Sequence, residues 1–126
     1  MNVPEELRYT SDHEWARLEA DGRVRIGITD YAQDTLGDVV FVQLPAVGTA
    51  YEANQTFSEV ESTKSVSDVY APLAGTVAEV NLELAEAPQR LNTDPYGDGW
   101  ICTIEPSEEG AFAALLDAAT YRSLTS

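Results

Sequence analysis

Val60-Glu61-Ser62-Thr63-Lys64-Ser65-Val66-Ser67-Asp68-Val69-Tyr70-Ala71-Pro72 carries at its middle Lys64, the only lysine of the chain. Before it, Phe57, Glu59 and Glu61 alternate with Ser58, Val60 and Ser62; after it, Val66 and the Val69-Tyr70 pair recur among Ser65, Ser67 and Asp68. Alternation with period two reads as two short, half-buried strands. The small polar residues between them predict a hairpin with Thr63-Lys64 as a two-residue turn, although neither Asn-Gly nor Asp-Gly is there to specify it. A primary amine at the tip of a stiff two-stranded projection is the feature from which the rest of the chain is read.

Outward from that hairpin, residues 13–19 and 23–28 alternate about Asp21-Gly22, a second hairpin with a strong turn signal. Asp30-Tyr31-Ala32-Gln33 has the spacing of a capping box, and Gly37 suits the left-handed residue that ends a short helix. Residues 38–44 form a near-continuous apolar run, which predicts a strand buried on both faces before Pro45 breaks it. The chain then repeats itself: residues 45–54 and 72–81 share Pro, Gly, Thr, Glu and Asn at five of ten positions, 27 residues apart. Each copy follows a strand, so the pattern predicts two related halves about a pseudo-two-fold axis, with Lys64 between them. Pro88 opens a helical turn, and residues 92–99 are dense in turn formers without the spacing of an EF-hand. Residues 100–104 read as a strand. Ser107-Glu108-Glu109 then caps a helix predicted to run to about Arg122, with Phe112, Leu115, Leu116 and Ala119 on one face. About eight strands beside three short helical pieces predict a mainly β fold with a terminal helix packed on a sheet.

A length of 126 residues suits one core, so residues 1–126 are expected to form a single domain. No apolar run approaches the roughly 20 residues of a membrane helix. The N-terminus has neither a secretory nor an organelle-targeting layout, and the expectation is a soluble cytoplasmic protein off the membrane. Twenty-two acids against seven bases give a formal charge of -15, which repels phosphate backbones, argues against nucleic acid, favours a monomer and steers the protein towards basic docking surfaces. One cysteine, Cys102, excludes an internal disulfide and reads as a small core or face residue rather than a reactive thiol.

A catalytic set is hard to assemble. One histidine and one cysteine stand 89 positions apart, and no phosphate loop or metal-ligand spacing occurs. Asp12-His13-Glu14 offers a base with acidic neighbours, but a strand beginning at His13 sends adjacent side chains to opposite faces, which favours a structural or cleft-lining histidine. Lys64 is left as the residue that carries chemistry: a rigidly held amine is what a ligase needs to form an amide with a carrier group.

Five blocks of the chain resemble the H-protein family of the glycine cleavage system, in that family's order. They are Tyr9-Thr10-Ser11-Asp12-His13-Glu14-Trp15, Gly27-Ile28-Thr29-Asp30-Tyr31-Ala32-Gln33, Leu36-Gly37-Asp38-Val39-Val40-Phe41-Val42, residues 61–70 about Lys64, and Asp94-Pro95-Tyr96-Gly97-Asp98-Gly99-Trp100. The resemblance implies a barrel-sandwich hybrid of two sheets, like other lipoyl and biotinyl domains, extended by the N-terminal hairpin and the C-terminal helix. It implies covalent lipoate on Lys64, and a shuttle rather than an enzyme. Its implied partners are a pyridoxal-phosphate glycine decarboxylase, which loads an aminomethyl group; a tetrahydrofolate-dependent aminomethyltransferase, which removes it; a flavin-containing dihydrolipoamide dehydrogenase, which reoxidises the arm; and a lipoate ligase or lipoyl transferase, which installs it. Glu14 and Asp68 match family positions near the cleft that shelters the loaded arm, whereas some relatives carry a histidine where this chain has Thr35. Three alternatives differ at named residues. Lipoyl domains of 2-oxoacid dehydrogenases usually present Asp before the lysine, where Thr63 stands here. Biotinyl carriers have Met on both sides, where Thr63 and Ser65 stand. An unmodified acidic interaction module would leave Lys64 as mere surface.

Overall fold

The structure, a computed structural model describing residues 1–125, is built on nine strands. In chain order they are β1 (Arg8–Tyr9), β2 (Glu14–Leu18), β3 (Val24–Ile28), β4 (Val39–Gln43), β5 (Ala50–Tyr51), β6 (Thr56–Ser62), β7 (Val66–Tyr70), β8 (Gly75–Val80) and β9 (Cys102–Pro106). Helix α1 (Asp30–Leu36) precedes β4, α2 (Glu83–Glu86) and α3 (Arg90–Thr93) lie between β8 and β9, and α4 (Ala118–Thr125) follows β9. Ser126, the last residue of the expected domain, lies outside the described residues.

Two antiparallel sheets result, one of six strands in the order β1-β2-β3-β9-β8-β5 and one of three in the order β4-β6-β7. Their inward positions share one buried cluster: Ile26 and Ile104 from the larger sheet, Val42, Val60 and Val69 from the smaller. Cys102 belongs to it, fully buried, with its thiol pushed up to about 12 by desolvation, so of the core and face positions expected it takes the core one. A second cluster joins Val3, Leu7, Tyr9 and Trp15 to Ala118 and Tyr121, with the Tyr9 and Tyr121 rings stacked at 4.6 Å. Trp15 fits because Gly27 opposite it has no side chain; a Cβ there would fall 2.6 Å from the indole nitrogen.

The two repeat copies lie side by side. Ala50 pairs with Thr76 and Tyr51 with Gly75, while Val77 N donates to Thr49 O at 2.9 Å. A shift of 27 residues carries the 50/76 pair onto the 77/49 pair, so a local two-fold axis passes through this ladder. The mainly β, two-sheet architecture is as expected.

Three local expectations are corrected. Strand β4 is an edge, and only Val39 and Val42 are buried; Val40 and Phe41 are about half exposed, at 51% and 52%, because a bulge between Val39 and Phe41 turns them outward. The cap of α1 is Thr29, whose hydroxyl accepts from Ala32 N, while Gln33 bonds the Asp30 side chain instead of closing a capping box; Gly37 does end the helix, at φ 80. The C-terminal helix starts at Ala118 and not at Ser107. Gly110 at φ 80 breaks the earlier segment, Leu116 is drawn into a two-way backbone bridge with Tyr9, and the Asp117 carboxylate caps α4 through Thr120 N at 2.8 Å.

Candidate functional site

Strands β6 and β7 form the expected hairpin, with Glu61 opposite Val66 and the Ser62 N–H donating to Ser65 O at 2.8 Å. The turn between them is closed by a side chain. Ser62 Oγ accepts from Lys64 N at 3.3 Å and from Ser65 N at 3.1 Å, and donates to Ser65 O at 3.2 Å, which uses its one proton and both lone pairs. This replaces the Asn-Gly signal that the sequence lacks. The tip is tied down where Thr63 N donates to Asp38 O at 3.0 Å. Asn92 in turn braces residues 37–39: its Oδ1 accepts from Val39 N at 2.9 Å, and its Nδ2 donates to Gly37 O at 2.8 Å and Gln33 Oε1 at 3.0 Å. Lys64 itself is exposed. Among the described residues every ion pair is made by an arginine, and Lys64 takes part in none.

Beside the tip lies a cleft of about 400 Å3, lined in part by Ser65 and Val66, the two residues after Lys64. Ile28, Leu36, Val60 and Val69 contribute apolar lining; Asp12, Glu14 and Asp68 contribute three carboxyl groups, with His13 beside them in sequence. The structure therefore places Glu14 and Asp68 in one cavity, with Thr35 on its wall. Glu14 is 2% exposed, and burial raises its carboxyl from the ordinary range to about 7 against two hydrogen bonds, from Thr10 Oγ1 at 2.5 Å and Tyr70 N at 3.2 Å. A larger groove of about 570 Å3 lies at the far end of the β2–β3 hairpin, by Asp21 and Gly22, away from these groups.

His13 departs from expectation. It stands before β2, not in it, with φ 71, so strand alternation does not apply and both His13 and Glu14 face the cleft. Its Nδ1 lies 2.8 Å from Tyr121 Oη, which is also 2.8 Å from Thr29 Oγ1; the ring rests against Tyr31 at 4.5 Å, and burial lowers its pKa. Thr29 Oγ1 also accepts from Ala32 N, so the cap of α1, the Tyr121 hydroxyl and the His13 ring form one hydrogen-bonded chain. Sequence reasoning missed Thr10, Tyr31 and Tyr121. A hydroxyl four residues before a glutamate was the one local signal for Thr10, and nothing local connects Tyr121 with His13 across 108 positions.

A two-sheet sandwich that presents a single lysine on a braced hairpin, beside a cleft lined by apolar side chains and carboxyl groups, defines a carrier domain of the lipoyl and biotinyl kind. More specifically, the chain belongs to the Glycine cleavage H-protein family, whose model matches residues 7–126. It is 56% identical over 127 residues to the glycine cleavage system H protein of Mycobacterium tuberculosis, covering 96% of this chain and 95% of that one. It is 55% identical over 125 residues to the Mycobacterium leprae protein of the same name, with the same coverage. The crystal structure of a glycine cleavage system H protein from Mycobacterium marinum matches with a TM-score of 0.90 at 44% identity, over 98% of both chains. The family's members are lipoyl carriers of the glycine cleavage system rather than catalysts, and they bear lipoate covalently on a lysine. The residues present fit that group: an exposed amine on a braced turn, with a cleft of partly apolar lining adjoining it.

Proposed function

We propose that Lys64 is the residue that bears the lipoyl group and that the cleft of Glu14 and Asp68 receives the cationic amine end of the loaded arm. The supporting observation is the adjacency of a braced, exposed amine and a cavity lined by both apolar side chains and the carboxyl groups of Asp12, Glu14 and Asp68. When bound, lipoate supplies a dithiolane that takes up and releases the aminomethyl group and is reoxidised. The chain does the rest. Ser62 and Asp38 hold the tip so that the Lys64 amine stands clear for acylation. Ile28, Leu36 and Val60 exclude water, and Asp12, Glu14 and Asp68 set a negative potential where a cation would sit.

Membership of the family implies exchange with the other components of the glycine cleavage system. We assign these as the glycine decarboxylase, the aminomethyltransferase and dihydrolipoamide dehydrogenase, with a lipoate ligase or lipoyl transferase before them. We place the chain in the cytoplasm as a monomer, in keeping with its charge of -15. Among the described residues no helix is long and apolar enough to cross a membrane. Intact mass of the protein from a lipoate-replete host tests the assignment. A lipoyl-sized increment that disappears in Lys64→Arg supports it, and an increment that survives the substitution, or one the size of biotin, overturns it.

A further inference from the structure

Thr10 stands at the start of the turn that connects β1 to β2, where its backbone N–H donates to Glu14 O at 3.0 Å and its backbone O accepts from His13 N at 3.2 Å. Its hydroxyl is fully committed. Thr10 Oγ1 accepts from Asp12 N at 3.3 Å and from Glu14 N at 3.2 Å, which occupies both lone pairs, so its single proton is left for Glu14 Oε1 at 2.5 Å. The direction of that bond is therefore fixed by the backbone. Thr10 can donate to Glu14 and cannot accept from it, and Glu14 Oε1 must be the unprotonated oxygen. Tyr70 N donates to the other oxygen, Oε2, from the opposite sheet.

From this wiring we infer that Thr10 is a positioning residue that favours the ionised form of Glu14 against burial and aims its carboxylate into the cleft, so that the cleft selects a cationic amine over a neutral group. The inference rests on the reading of the cleft given above. Every other neighbour works against a charge on Glu14 or is neutral to it. Burial removes water from the carboxylate, Asp12 adds like charge, Tyr121 is electrostatically coupled to it, and Asp68 on β7 and Tyr31 on α1 line the same cavity. Burial disfavours the cationic form of His13, which weakens any compensation from that side. The two donated hydrogen bonds are what oppose these effects, and the Thr10 bond is the shorter of the two.

The test is a direct titration of the Glu14 side-chain carboxyl by carbon-detected NMR in the full chain without lipoate. This readout is independent of the arm. Thr10→Val is expected to raise the Glu14 midpoint by about one unit, which cuts the ionised fraction at pH 7 about five-fold, and Thr10→Ser is expected to restore it. A midpoint unmoved by Thr10→Val, or one that Thr10→Ser fails to restore, overturns the inference. If Thr10→Val does not fold, the unsubstituted protein decides. A hydroxyl proton on Thr10 that is slow to exchange and moves with the Glu14 titration supports the inference, and a freely exchanging one sinks it. The reading of the cleft is tested separately on the loaded protein: if Glu14→Gln leaves the lifetime of the aminomethyl group unchanged, that reading fails whatever Thr10 does to the Glu14 midpoint.

Discussion

Gly37 lies beneath the Lys64 side chain: a Cβ built on Gly37 would stand 3.5 Å from Lys64 Cε and 4.0 Å from its Cδ and Cγ. That spacing is ordinary contact, so the absent methyl is not what makes glycine necessary there. The backbone is. At φ 80 and ψ -156, Gly37 occupies a region essentially closed to residues with a side chain, at a cost of about 1–3 kcal/mol for any that enter it. Gly37→Ala is therefore expected to lower the thermal midpoint by roughly 5–10 °C while the lysine stem keeps room to lie where it does. An alanine variant that melts with the parent protein refutes the strain argument.

Ser62 makes a separate and smaller claim on the same tip. Replacing it with alanine deprives the Lys64 and Ser65 amides of their acceptor, at a part-buried turn that water reaches. We expect a loss of about 1 kcal/mol in global stability and a larger local effect, with hydrogen exchange at those two amides faster by about ten-fold. Unchanged exchange would show that the hydroxyl does not hold the turn.

Strand β4 shows what a sequence pattern does and does not specify. An unbroken apolar run identified it correctly as a strand, but the run carries no information about which strand ends a sheet, and the bulge after Val39 comes from pairing with β6. The consequence is measurable by urea unfolding. Phe41→Ala should cost under about 1 kcal/mol, because half of the ring is already in water, whereas Val42→Ala should cost about 1–3 kcal/mol because Val42 is 3% exposed in the core. Equal costs would restore the original expectation of burial on both faces.

The tip was legible for the opposite reason. Alternation on both sides of a lone lysine is local information, and so was the Pro-x-x-Gly-Thr repeat that places the two copies on one ladder. The cleft was legible only in part. Glu14 and Asp68 came from resemblance, while His13 was misplaced because a positive φ leaves no mark in composition or period. The C-terminal helix was drawn too long for a similar reason: Leu116 is apolar at the right spacing, yet its backbone pairs with Tyr9, more than a hundred residues away.

Glu14 also leaves a signature in the stability of the unloaded protein. Its carboxyl titrates at about 7 when folded, against 4.5 for the unperturbed group, because burial disfavours the charge. Between those two values the folded state binds more protons than the unfolded one, so stability falls as pH rises through the window and is fully retained only below it. The displacement is worth roughly 3 kcal/mol. Glu14→Gln removes this dependence. The amide can still accept from Thr10 but sets its NH2 group against Tyr70 N–H, a fixed cost of about 1 kcal/mol that does not vary with pH. The informative quantity is therefore the difference in unfolding free energy between parent and variant, followed from pH 4 to 8, which cancels both that offset and the general repulsion of an acidic chain. We expect the difference to shift by about 2–3 kcal/mol in favour of Glu14→Gln across the window. A difference that stays flat would mean that Glu14 titrates in the fold as it does in water, and that its burial is not felt by its charge.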